Sequence, residues 1–122
     1  MTSQAPLAEL VSYDAAAVSL EAPTSFASFE EFYPFYLSQH QDKTCRRLHF
    51  AGSTLGLVGL GASVVTGKKR YLAAGIVAGY GCAWVGHFFF EGNKPATFKH
   101  PVYSFMGDWV MYKDMLTGKI EL

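Results

Sequence analysis

The sequence predicts an all-α integral membrane hairpin, on three observations. Two apolar runs, Leu48 to Thr66 and Tyr71 to Phe90, are 19 and 20 residues long, enough for about 28–30 Å of helix across a bilayer. Only Gly67-Lys68-Lys69-Arg70 separates them, so the second run must return antiparallel to the first. Each run also carries small residues at helical spacing. His49, Gly52, Gly56, Gly59 and Ser63 share one face of the first, and Gly75, Gly79, Ala83 and His87 share one face of the second. Such stripes let helix backbones approach closely in lipid, where packing drives association. If they face each other, His49 and His87 meet at the hairpin mouth.

The composition limits the partners. The chain has 122 residues, the size of one small domain. Its ten basic and ten acidic residues cancel, but residues 1–40 hold five acids and no Lys or Arg, while all ten basic residues lie beyond. No dense Arg/Lys cluster with interleaved aromatics is present, so nucleic acid is not an expected partner; a basic half flanking apolar spans suits the lipid bilayer. Cys45 and Cys82 form no CxxC pair, and both read as packing residues. A secretory leader is not expected, because residues 1–24 lack a basic start and a continuous apolar stretch.

In chain order, residues 1–25 are rich in Ala, Ser and Pro without a sustained period and read as a mobile tail, leaving 26–122 as a single helical domain. Ser28-Phe29-Glu30-Glu31 fits a capping box that opens an aromatic-rich helix containing Phe29, Phe32, Tyr33, Phe35 and Tyr36. Pro34 should kink or restart it, and aromatic rings with polar edges favour the headgroup level. After the spans, Glu91-Gly92-Asn93-Lys94-Pro95 should end the second. A last amphipathic helix, Val102 to Leu116, places Phe105, Trp109, Tyr112 and Leu116 on one face before Gly118. It can lie in the interface plane or pack back over the mouth. Two spans alone bury little, so a homo-oligomer is expected. Basic residues near the span ends number three in the loop and five at the other end (Lys43, Arg46, Arg47, Lys94, Lys99). This balance predicts that the latter end, with both termini, faces the cytoplasm.

That end also gathers every histidine: His40, His49, His87 and His100. A single histidine at a span end is usually an interfacial residue with a satisfied hydrogen bond. Four at one face point to a metal site, since imidazole suits iron, zinc and copper and ionisable groups at membrane depth are functional candidates. Glu91, one turn after His87, can act as a carboxylate ligand or orient that ring. His40 and His49 are nine apart, about half a turn out of phase, and converge only if the helix bends or breaks between them. Asp108 can support the site if the last helix folds back.

Tyr36-Leu-Ser-Gln-His40 through His49, and His87-Phe-Phe-Phe-Glu91-x-Asn93-x-Pro95-Ala96-Thr97-Phe98, resemble the 2-hydroxy fatty acid dioxygenase family of small membrane proteins. Pro95 to Asp108 is similar to its largely bacterial-type branch. The resemblance implies a ferrous iron enzyme that uses O2 to shorten 2-hydroxy fatty acids by one carbon. It implies His40, His49 and His87 as Fe(II) ligands, with Glu91 matching the acid of the HxxxE segment and acting in catalysis. His100 has no placed counterpart and joins the ligand set by position alone. Arg46, Arg47 and Lys94 are then candidates to pair with the substrate carboxylate. Two rivals stay open: a b-type haem electron carrier, with histidines on adjacent spans as axial ligands, and a non-catalytic hairpin or assembly protein. Nothing resembles HExxH, which argues against a zinc hydrolase.

Overall fold

A computed structural model describes residues 25–122, and the tail expected over 1–25 lies outside them except for Ser25. The described chain is all helical, in the expected order. Helix α1 spans Phe29–Ser38, α2 Lys43–Thr66, α3 Lys69–Val85 and α4 Pro101–Leu116. A π-helical turn, Gly86–Glu91, prolongs α3, and a 3₁₀ turn, Ala96–Phe98, leads into α4.

Helix α1 begins as its cap predicts: the Ser28 hydroxyl accepts the Glu31 N–H at 3.2 Å. The Glu31 carboxylate reaches back to the Ala27 N–H at 3.3 Å, one residue earlier than a regular capping box. Pro34 neither breaks nor restarts the helix. It forfeits the bond to the carbonyl of Glu30, which is exposed and can meet solvent, while Phe32 and Tyr36 are fully buried and anchor the turn.

The first span starts at Lys43, five residues before the apolar run, because Asp42 caps it by accepting the Cys45 N–H at 2.9 Å. It ends at Gly67, whose φ of 74° allows its N–H to bond the Ser63 carbonyl at 2.8 Å. Both α2 and the continuous stretch Lys69–Glu91 are long and apolar enough to cross a membrane, with mean hydropathy 1.5 and 1.4. The two small-residue stripes face each other. A Cβ on Gly52 would lie 2.7 Å from the Gly79 carbonyl oxygen, and one on Gly59 would lie 2.9 Å from the Gly75 Cα. The outer faces carry Val58, Val64, Val65 and Val77 well exposed, the surface expected to meet lipid.

Helix α4 folds back over the hairpin mouth, with a packing face different from the one its apolar pattern suggests. Ser104, Gly107, Met111, Asp114 and Met115 are buried, whereas Phe105 and Leu116 are exposed. The reason is Tyr36. Its ring fills the space over Gly107, where a Cβ would stand 2.8 Å from Tyr36 Cδ2, so small and polar residues must face α1. Tyr112 turns to α2, stacking on Phe50 at 4.6 Å and sharing a 2.9 Å hydrogen bond with Thr54. The aromatic cluster under α1 and α4 roofs the end of the hairpin where the histidines lie.

Forcing the two spans apart tests this packing. Gly59→Val should lower the melting temperature of the detergent-solubilised protein, as overpacking typically costs about 1–3 kcal/mol. Gly61→Val, at a position with open space around it, should melt like the unaltered chain.

Candidate metal centre

Three backbone irregularities bring three histidines to one point. The chain breaks between α1 and α2, so His40 leaves the helical phase of His49 and turns back over it. His49 stands in the second turn of α2. The π-helical turn carries His87, whose carbonyl accepts both the Gly92 and Asn93 N–H groups at 2.8 and 3.1 Å. Gly92, at φ 77°, allows that reversal. Single π turns of this kind recur at functional sites.

The rings are buried and nearly perpendicular to one another, with centroids 4.5, 4.5 and 4.8 Å apart. Each Nδ1 meets an oxygen that can only accept. His40 Nδ1 lies 2.7 Å from the Tyr36 carbonyl, His49 Nδ1 2.9 Å from the Cys45 carbonyl, and His87 Nδ1 2.7 Å from Asn93 Oδ1. Asn93 is itself oriented, since its Nδ2 donates to the Gln39 backbone and side-chain oxygens at 3.1 Å each. All three imidazoles therefore carry their proton on Nδ1 and offer an Nε2 lone pair. Burial, then the neighbouring His49 and His87, holds the His40 pKa well below 6.5, which keeps that ring neutral.

Neutral rings in this tautomer make a repulsive arrangement. His40 Nε2 and His49 Nε2 are 3.2 Å apart, two acceptors with no proton between them. One ligand atom from each of the three histidines lies within 4.8 Å of the others. Bonds of about 2.0–2.1 Å to a common metal ion separate neighbouring ligand nitrogens by about 3.0–3.4 Å. The His40–His49 pair already has that spacing, and the widest pair, within 4.8 Å, closes on a cation by a small shift of one ring; the oxygens on the three Nδ1 atoms are what histidine ligands ordinarily require. A haem between two of these rings does not fit, because the cavity beside the three imidazoles is only about 20 Å³.

Not every candidate joins the cluster. His100 packs its ring against Phe26, Phe32 and Phe35 at centroid distances of 5.2, 5.5 and 6.0 Å and is outside the three-histidine group. Glu91 ties the spans together: its carboxylate accepts the Asp42 N–H at 2.7 Å and the Gln41 N–H at 3.1 Å. The ring-orienting role considered for Glu91 falls to Asn93. Arg46 donates to the carbonyls of His40 and Gln41 at 3.0 and 2.8 Å, Arg47 to the Leu122 carbonyl at 3.1 Å, and Lys94 is exposed. None of these cations lines the cavity at the histidines or the groove beside it. Cys45 packs against Gly86, where a Cβ would sit 3.1 Å from its Sγ.

Tyr36 and Asp108 complete the surroundings. The Tyr36 ring stacks on His40 at 4.0 Å, and its hydroxyl donates to Asp108 Oδ1. Burial and the Asp108 charge push the Tyr36 pKa well above 10. Burial likewise pushes Asp108 up to about 6, against the pull of the Tyr36 hydrogen bond. From His49 an apolar groove of about 240 Å³ runs between the spans and α4, floored by Gly52, Gly56 and Gly79 and walled by Ile76, Phe105 and Trp109.

Fold and site together define a helical protein with two candidate membrane spans and a three-histidine centre opening on an apolar groove. The chain belongs to the family described as 2-hydroxy-palmitic acid dioxygenase Mpo1-like, which matches residues 26–120. No curated protein and no solved structure matches it.

Two outcomes check the centre. His49→Ala should abolish stoichiometric metal binding, and Asn93→Ala should weaken it about 10–100-fold while keeping all three ligands; metal titration of the purified apoprotein measures both. The metal-free protein should also respond to pH with a definite sign. His40 has a folded pKa below its unfolded 6.5, so its stabilising contribution is complete above that pH and is lost as pH falls beneath it. Asp108, raised from 3.8 to about 6, works oppositely: its contribution is complete at low pH and is lost as pH rises toward 6. Asp108→Asn removes its share of the opposing slope, so the variant apoprotein should lose more melting temperature between about pH 7.5 and about pH 5 than the unaltered apoprotein.

Proposed function

We propose that this protein is an integral membrane, Fe(II)-dependent dioxygenase that shortens 2-hydroxy fatty acids by one carbon, using O2. The observation that carries this reading is the junction of a three-histidine centre with an apolar groove, in a chain of the 2-hydroxy-palmitic acid dioxygenase Mpo1-like family. His40, His49 and His87 would hold the iron through Nε2. Three protein ligands leave positions open, as in non-haem iron oxygenases. Ferrous iron supplies the electron transfer that lets O2 react with an organic acid. Everything else falls to the chain.

The Tyr36 carbonyl, the Cys45 carbonyl and Asn93 fix the three rings, so the lone pairs converge before any metal arrives. The roof of α1 and α4 shields the centre from water. The groove accepts an acyl chain along about 10 Å of α2, from His49 to Gly56, and its glycines provide the width. With the candidate cations turned elsewhere, the acid's head is left to the metal and to the polar side chains of α4. The histidine end, carrying five flanking basic residues against three in the loop, is assigned to the cytoplasmic side; a cysteine placed at Lys69 would then label from the opposite side of intact cells.

The deciding assay supplies 2-hydroxypalmitic acid and O2 to protein reconstituted with ferrous iron. The expected outcome is an iron-dependent product one carbon shorter, lost in His49→Ala. No product from iron-loaded protein, or unchanged turnover in the variant, would exclude this reaction. A non-catalytic hairpin would bind no metal and show neither effect.

A further inference from the structure

Two cavities meet beside the histidines. The smaller, about 20 Å³, has room for little more than one bound oxygen group and is lined by the three imidazoles with Tyr36, Ser104 and Asp108 among others. The larger is the apolar groove of about 240 Å³. They share four lining residues: His49, Tyr80, Ala83 and Asp108. His49 is turned to the metal site, Ala83 is apolar, and Tyr80 is 41% exposed. Asp108 is the more sheltered polar group at the junction. An acid with one carboxylate oxygen in the small cavity and its chain in the groove has its second carbon at this point.

We propose that Asp108 is the residue that selects 2-hydroxylated acids over unsubstituted ones, its carboxylate accepting the hydrogen bond of the substrate's 2-hydroxyl at the junction of the two cavities. The proposal rests on the function given above. Tyr36 takes one carboxylate oxygen, Oδ1; the other receives no hydrogen bond among the described residues. Tyr36 thereby fixes the carboxylate and leaves its second oxygen to a ligand. Ser104 lies one helical turn before Asp108 on α4 and lines the same small cavity. It is only 3% exposed, and its hydroxyl has no partner among the described residues. A buried hydroxyl is seldom left unpaired, and a carboxylate oxygen in the small cavity would pair it. Helix α4 thus offers a donor for the acid and an acceptor for the neighbouring hydroxyl. An unsubstituted acid would press a C–H group against the Asp108 oxygen, which would lose water and gain nothing.

The test is binding without turnover. Iron-loaded protein in nanodiscs, with oxygen excluded and empty nanodiscs as the partition control, is titrated by displacement of a fluorescent fatty acid. The competitors are 2-hydroxypalmitic, palmitic and 2-fluoropalmitic acids. The hydroxy acid should bind about tenfold or more tightly than palmitic acid, as a hydrogen bond to a charged group implies. The fluoro acid, which cannot donate, should bind like palmitic acid. In Asp108→Ala the hydroxy and unsubstituted acids should bind alike, with iron content unchanged. Retained discrimination in that variant would overturn the proposal and place the hydroxyl on the metal instead. Fluoro acid binding as tight as that of the hydroxy acid also overturns it, in the unaltered protein, so a variant that fails to fold leaves the question decidable. Equal binding of all three acids removes the Asp108 role alone; binding of none removes the proposed function with it.

Discussion

Three buried imidazole lone pairs aimed at one another repel, and the surrounding structure must hold them there. Nε2 of His40 and His49 stand 3.2 Å apart, and each ring is locked in the tautomer that makes both acceptors. Desolvation adds to the repulsion, because buried polar atoms lack the water that would separate them. A shared cation converts this conflict into attraction. The break before Asp42, the π turn at His87 and the close approach of glycines all serve to produce the convergence. So do the carboxylate of Glu91, which ties the end of one span to the start of the other, and the amide of Asn93, which fixes His87 from outside the helix.

The hairpin packs by two different rules. Along most of its length, valines and leucines face outward while Gly52, Gly59, Gly75 and Gly79 face inward, so helix contact depends on backbone proximity instead of apolar burial. At the mouth the rule changes. There α1 and α4 form a compact cluster around Phe32, Tyr36, Met111 and Met115, held by ordinary hydrophobic packing. The three-histidine cluster sits at the boundary between these regimes. It is dry enough to keep His40 neutral, yet it joins a groove through which an amphiphile could enter with its chain toward the lipid.

Much of this was legible in the sequence. Run length and loop length dictate the hairpin, and the spacing of Gly52, Gly59, Gly75 and Gly79 dictates which faces meet. That geometry alone brings His49 and His87 together. His40 was legible only as a condition, that the chain break between positions 40 and 49, and Asp42 supplies the break as a helix cap. What periodicity cannot show is a change of period. The π turn alters the phase after His87, which moves Glu91 to the Asp42 amide and gives the ring to Asn93, a residue whose type and place suggested only a helix end. The packing face of α4 was hidden for another reason. Its aromatic residues dominate the apolar pattern, but the bulk of Tyr36 demands glycine and serine opposite it. With that rotation Ser104 and Asp108 reach the centre, while His100, at the helix start, is carried among Phe26, Phe32 and Phe35.

X-ray absorption at the iron edge, on protein reconstituted with one ferrous ion per chain, tests the central claim most directly. Convergence of His40, His49 and His87 on a common ion predicts scattering from three imidazoles, reduced to two in His87→Ala. A shell of oxygen ligands alone, or a spectrum unchanged by that substitution, would contradict it.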